Sequence, residues 1–104
     1  LILTKCDLLR EFSNTDKAKI PLVEDYDLDG QTIDYVPGST SAYYRVKPIT
    51  KYYESFSENI SETEDYSKLP VSLKNLLKMI GEKTGTRVSG IGTGPSRQQF
   101  IKVA

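Results

Sequence analysis

Between Pro70 and Gly85 the sequence sets Leu73, Leu76, Leu77 and Ile80 at i, i+3, i+4 and i+7. At 3.6 residues per turn these four side chains share one face, so the segment must be a helix with one side against a core. Pro70 suits the first helical position, where its missing N–H is not needed, and Gly85 suits the cap after the last turn. The spacing therefore predicts a helix over 70–83. A chain of 104 residues needs a second layer to cover those leucines. Runs of β-forming residues on both sides of the helix supply it.

Leu1 to Thr4 is a continuous apolar run that reads as a buried strand ending at Thr4-Lys5. Cys6 to Ser13 reads as a short helix with Leu8, Leu9 and Phe12 on one side, and Asn14-Thr15-Asp16 as a turn. Lys19–Tyr26 and Thr32–Val36 are two β-forming runs around Asp27-Leu28-Asp29-Gly30, a strong hairpin signal because glycine accepts positive φ. Pro37–Ser41 reads as a loop. Tyr43–Phe56 is aromatic and β-branched, with Pro48 inside it; proline donates no ladder hydrogen bond, so this is an edge strand or two strands with a break. Ser57–Lys68 lacks periodicity and reads as loop. Thr86–Ile91 and Gln99–Val103 read as strands around the tight loop Gly92–Ser96. No internal repeat or flexible linker divides residues 1–104, which predicts a single domain. The fold class is α+β: a hairpin region, one main amphipathic helix and a short mixed sheet, or a piece of a larger α/β sheet.

Composition narrows the chemistry. Fourteen Lys and Arg balance fourteen Asp and Glu, which argues against a broad phosphate-binding surface. The absence of His removes the commonest general base and the commonest zinc ligand. A single Cys excludes an intrachain disulfide and a cysteine metal cage. No apolar run is long enough to span a bilayer. The chain starts on an apolar strand without an initiator Met, the pattern expected of a segment from something longer.

Several short motifs compete for attention. Asp25-x-Asp27-x-Asp29-Gly30 matches the start of a calcium-binding helix-loop-helix loop, but Val36 stands where the bidentate Glu is needed and the flanks read as strands. An acidic hairpin turn explains it better. Asn59-Ile60-Ser61 is a glycosylation sequon with no secretion signal beside it. Tyr43, Tyr44, Tyr52 and Tyr53 interleave with Arg45, Lys47 and Lys51, a pattern that can stack single-stranded bases or simply cover two faces of a sheet. Gly90-Ile91-Gly92-Thr93-Gly94-Pro95 is neither a Walker A loop nor the dinucleotide fingerprint; it is a glycine-rich loop after a strand. Thr4-Lys5-Cys6-Asp7 stands at a strand end, where ligands bind in α/β sheets. A carboxylate there can accept from guanine N1–H and the 2-amino group together, while a lysine stem lies on the flat base. Adenine would oppose its ring acceptor to the same carboxylate. Cys6, between the two, reads as a small buried filler.

In order along the chain, Leu3-Thr4-Lys5-Cys6-Asp7, an Asp-Gly hairpin, Tyr52-Tyr53-Glu54, Ser57-Glu58 and Leu69-Pro70 opening a helix lead to Thr84-Gly85-Thr86-Arg87-Val88. Gly92-Thr93-Gly94-Pro95-Ser96-Arg97 then follows. This series resembles the C-terminal segment of adenylosuccinate synthetases over nearly the whole chain. The resemblance implies part of a larger P-loop-like α/β enzyme that joins IMP and L-aspartate with cleavage of GTP to GDP and phosphate, in purine (AMP) biosynthesis. It implies GTP as substrate, magnesium whose ligands lie outside these residues, a homodimeric parent, a cytoplasmic location, and neither nucleic-acid nor membrane partners. It carries a GTP-binding role to Lys5, Cys6, Asp7, Gly92, Thr93, Gly94 and Pro95, with no catalytic residue and no metal ligand here. Gly92 stands where some members have Ser, Cys6 replaces an apolar residue, Ser96 stands where Asp is frequent, and a Trp common after Tyr-Glu is absent. The isolated chain is expected to be inactive. The competing reading is a stand-alone module binding a nucleotide or single-stranded RNA. A relative with altered base choice is disfavoured, because Lys5 and Asp7 keep the guanine pattern.

Overall fold

The computed structural model describes residues 1–14 and 19–103. These divide into two compact units, residues 1–20 with 54–104 and residues 21–53. The predicted turn at Asn14-Thr15-Asp16 has Thr15 and Asp16 outside the described residues.

The larger unit is built around a three-stranded sheet in the order β1-β5-β6, with β1 Ile2–Leu3, β5 Gly90–Gly92 and β6 Phe100–Lys102. β1 runs parallel to β5, with Ile2 opposite Gly90 and Leu3 opposite Ile91. β6 returns antiparallel, with Ile91 opposite Ile101. Ser89 N–H donates to the Leu1 carbonyl at 2.8 Å, and Val103 N–H to the Ser89 carbonyl at 2.9 Å, so the ladder continues one step beyond the strands. Strand β1 differs from the buried strand expected. It is the edge of this sheet, and Ile2 is 60% exposed. An apolar run does not by itself distinguish a central strand from an edge strand.

The predicted helix is α2, Val71–Thr84, with Leu73, Leu76 and Leu77 buried as the spacing required. Pro70 sits at the N-cap, one place before the helix, and Gly85 follows the last turn at φ 69°, the left-handed conformation that closes a helix end at no steric cost to glycine. The core of this unit joins those leucines to Cys6, Ile20, Phe56, Ile60, Leu69, Val88, Ile91, Ile101 and Val103. Phe56 and Ile60 therefore anchor a stretch with no periodicity. Beyond them Asp65 caps the short 3-10 turn Tyr66–Lys68 by accepting from Ser67 N–H at 3.0 Å.

Residues Cys6–Asn14 form a 3-10 helix rather than an α-helix. At three residues per turn, Cys6, Leu9 and Phe12 line up on one face. That arrangement buries Cys6, half-buries Leu9 and Phe12, and leaves Leu8 exposed, contrary to the expected grouping of Leu8 with the other two.

The smaller unit holds the hairpin. β2, Lys19–Leu28, pairs antiparallel with β3, Gln31–Ile33, through a two-residue turn in which Asp29 and Gly30 have φ of 54° and 89°. Positive φ at both positions matches the right-handed twist of the strands, and Asp27 Oδ1 accepts from Gly30 N–H at 3.0 Å. β4, Lys47–Glu54, lies on the other side of β2, so Pro48 falls on an edge strand as expected. The start of the predicted Tyr43–Phe56 strand is instead a helix, α1, Thr40–Arg45. Ser39 caps it, its side chain accepting from Ala42 N–H at 3.4 Å, and the aromatic pair Tyr43 and Tyr44 meets edge to face at 5.7 Å. The cap outweighs the weak β preference of two tyrosines.

Glu24 organises β2 against β4. Its side chain is 5% exposed, accepts from Tyr53 O–H at 2.6 Å and pairs with Lys51 Nζ at 3.1 Å. Lys51 and Tyr53 are two apart on β4 and so share a face. The hydrogen bond to Glu24 holds the Tyr53 phenol above its ordinary pKa, with burial adding to the effect.

The helix is the largest contributor to the core, and Leu73 is fully buried. Leu73→Ala is expected to destabilise the chain by about 2–5 kcal/mol. Urea denaturation followed by circular dichroism measures this. A cost below about 1 kcal/mol would mean that the leucine face is not the centre of the core.

Candidate functional site

Parallel pairing brings the C-terminal ends of β1 and β5 side by side, and both sequence-predicted segments begin there. After Leu3 the chain turns at Lys5, whose φ of 59° is unusual for a residue with a side chain. The Lys5 carbonyl then accepts from Leu8 N–H at 3.1 Å and opens the 3-10 helix, which places Asp7 in its first turn. On the other strand, Gly92 faces this turn directly. A Cβ built at Gly92 would sit 3.5 Å from Lys5 N and Thr4 Cα, in ordinary van der Waals contact, so the two segments are neighbours with room for about one methyl group between them.

Lys5 and Gly92 are thus brought together. Asp7, half-buried, opens on a cleft of about 440 Å³ shared with Arg10, Asn14, Asn59 and Ser61. Gly94 and Pro95 lie further along the loop, Gly94 half-buried and Pro95 exposed. Two predicted residues point inward. Cys6 is 1% exposed with Sγ 3.8 Å from the Leu3 carbonyl, and burial first, then the Asp7 charge, pushes its thiol up to about 11. Thr93 is fully buried; its N–H donates to the Gln99 carbonyl at 2.8 Å, while its Oγ1 has no hydrogen-bond partner among the described residues.

Sequence reasoning missed Gln99. Its side-chain Oε1 accepts from Ser96 N–H at 2.8 Å, its Nε2 donates to the Ser61 carbonyl at 3.0 Å, and its own N–H donates to the Ser96 carbonyl at 3.0 Å. Only its place just after the glycine-rich loop pointed to it. A second cleft, of about 450 Å³, is lined by Tyr66, Leu77, Lys78, Arg87, Val88 and Val103 among others, and contains none of the predicted residues. Among the described residues, no three His, Cys, Asp or Glu side chains gather as a metal site. The acidic hairpin residues have other work: Asp27 binds the turn and Asp29 pairs with Arg45 at 3.3 Å. The interleaved tyrosines and cations are divided between α1 and β4 and form no continuous stacking strand. No helix among the described residues is long and apolar enough to cross a membrane.

The family model for adenylosuccinate synthetase matches residues 1–101. The chain belongs to the adenylosuccinate synthetase family. It is 39% identical over 103 residues to the adenylosuccinate synthetase of Clostridium perfringens, covering 99% of this chain and 23% of that protein. It is 37% identical over 100 residues to that of Aquifex aeolicus, covering 96% of this chain and 22% of that protein. The chain thus spans about 23% of the length of the curated relatives it matches. A structure of fully ligated adenylosuccinate synthetase from Plasmodium falciparum superposes with a TM-score of 0.85 at 23% identity, over 98% of this chain and 24% of that one. That likeness bears out the α+β fold.

Two expected outcomes follow from the inward-facing residues. Because the Cys6 thiol is held about two pKa units high, its thiolate fraction at pH 8 is lower by roughly 100-fold than in the unfolded chain. Reaction with a disulfide reagent should slow accordingly, and should reach the unfolded rate in urea. The same shift makes stability fall as pH rises from 9 toward 11, since only the unfolded thiol ionises in that window. Cys6→Ala should remove that component of the slope. Thr93→Val replaces a buried hydroxyl that has no partner among the described residues and should leave the chain as stable or about 1 kcal/mol more stable in urea titrations.

Proposed function

We propose that this chain is the guanine-recognising part of an adenylosuccinate synthetase, an enzyme that joins IMP and L-aspartate with cleavage of GTP to GDP and phosphate in AMP biosynthesis. The observation that carries this reading is the parallel pairing of β1 with β5, at whose adjacent C-terminal ends the Lys-x-Asp segment and the glycine-rich loop begin. Strand ends of this kind are where α/β sheets bind ligands.

In this reading Asp7 accepts from guanine N1–H and the 2-amino group, and the Lys5 stem lies along the base. The Gly92–Pro95 loop closes over the other side through its backbone, with Pro95 bracing it. Cys6 and Thr93 act from beneath, through main-chain groups and packing, since their side chains are buried. Lys5 sits in a strained backbone conformation, of the sort that tends to accumulate where a ligand is held.

Phosphoryl transfer depends on groups positioned around the phosphates. We assign those groups, with the magnesium ligands and the IMP and aspartate sites, to the remainder of a cytoplasmic, homodimeric enzyme; the isolated chain would not turn over. Guanine binding by the chain alone would be weak, because triphosphate contacts are missing and ordering the free loops opposes binding.

The test uses a full-length synthetase carrying this segment. Asp7→Asn should raise the KM for GTP by roughly 5- to 150-fold, as expected for losing a matched pair of base contacts, and leave the KM for IMP nearly unchanged. Discrimination against ATP should relax in parallel. Unchanged GTP kinetics would overturn the role of Asp7.

A further inference from the structure

We infer that Gln99 is a positioning residue: it fixes the Gly92–Ser96 loop against the Asn59–Ser61 turn, and through that turn sets the loop's distance from Asp7. This rests on the guanine-recognition reading for its functional consequence, and on geometry alone for the clamp itself.

The hydrogen bonds leave no freedom in how the side chain is oriented. Ser96 N–H can only donate and the Ser61 carbonyl can only accept, so Oε1 must face the first and Nε2 the second. The main chain of the same residue accepts from Thr93 N–H and donates to the Ser96 carbonyl. One residue therefore holds the loop at both of its ends and ties it to a distant segment. Ser61 is itself fixed: its N–H and Oγ both donate to Asn59 Oδ1, at 3.0 and 2.7 Å. Asn59 and Ser61 line the cleft onto which Asp7 opens. A continuous set of contacts thus runs from the loop through Gln99 to the walls of the Asp7 cleft.

Gly94 supplies an independent view of the same clamp. A Cβ built at Gly94 would lie 2.4 Å from Gln99 Cδ and Oε1. The Gln99 amide occupies the space that a side chain at Gly94 would take. Its φ lies outside the left-handed region, so alanine fits the backbone there and fails only because Gln99 is in the way.

The experiment is amide hydrogen exchange on the full-length synthetase carrying this segment, with the KM for GTP as the second readout and ATP as control. Gln99→Leu should speed exchange at Ser96 N–H and raise the KM for GTP by roughly tenfold, the loss of two hydrogen bonds, while Leu73 and Leu77 stay protected. Gln99→Glu keeps an acceptor for Ser96 but opposes an oxygen to the Ser61 carbonyl. It should preserve protection at Ser96 and still raise the KM for GTP, an effect that general loosening would not produce. Gly94→Ala should behave like Gln99→Ala, and the double variant Gly94→Ala/Gln99→Ala should be no worse than Gln99→Ala alone, because the three atoms nearest the added methyl are then gone. Unchanged Ser96 exchange in Gln99→Leu, or additive losses in the double variant, would overturn the proposal. If Gln99→Leu also exposes Leu73 and Leu77, the Gln99→Glu and double-variant results decide. If Asp7→Asn leaves GTP kinetics unchanged, the guanine reading fails by itself, and the clamp stands or falls on Ser96 exchange and on the double variant.

Discussion

The pairing of β1 with β5 is the constraint on which the larger unit depends. It joins residues 2 and 3 to residues 90 and 91, so nearly the whole chain lies in the connection. Parallel strands cannot be joined by a tight turn, and this connection contains the main helix, whose Leu73, Leu76 and Leu77 are buried. A slip of one residue in the pairing would move Ile91, fully buried, to the opposite face. The core thus fixes the register. The register in turn fixes which residues stand at the strand ends: Lys5 and Gly92 meet because Leu3 is opposite Ile91.

Local signals were legible where one physical cause dominated. The helix from Val71 to Thr84 could be read from its leucine spacing and its flanking Pro and Gly, because burial and capping both act within a few residues. The hairpin was legible because Asp29-Gly30 accepts two positive φ angles that few other pairs tolerate. Tyr43 and Tyr44 misled because aromatic residues favour strands only when a sheet is there to pack against, and Ser39 starts a helix first. Ile2 misled because its exposure depends on what lies beside the strand, which its own run of apolar residues does not encode.

The candidate site was legible in part for a related reason. Lys5, Asp7 and the Gly92–Pro95 loop announce themselves through residue type and neighbours in sequence. Gln99 and Thr93 do not. Their roles come from tertiary contacts, Gln99 to Ser61 and Thr93 into a buried position, and no spacing rule connects residues so far apart. Likewise nothing in the local pattern around Glu24 predicts that Tyr53 and Lys51 will converge on it. That convergence gives the smaller unit its polar centre, as none of the large apolar side chains buried in the structure belongs to its described residues.

The backbone of Lys5 also limits how this position can drift. With φ at 59°, a residue branched at Cβ would be far more strained than lysine, so Thr, Val and Ile are closed to it whatever ligand the protein holds. Gly, Asn and Asp suit the turn better than lysine does but offer no long cationic stem. Arginine retains the stem at a similar conformational cost. In the proposed guanine site two separate filters would act on one codon, the first set by the turn and the second by the reach of the side chain, and few residues pass both.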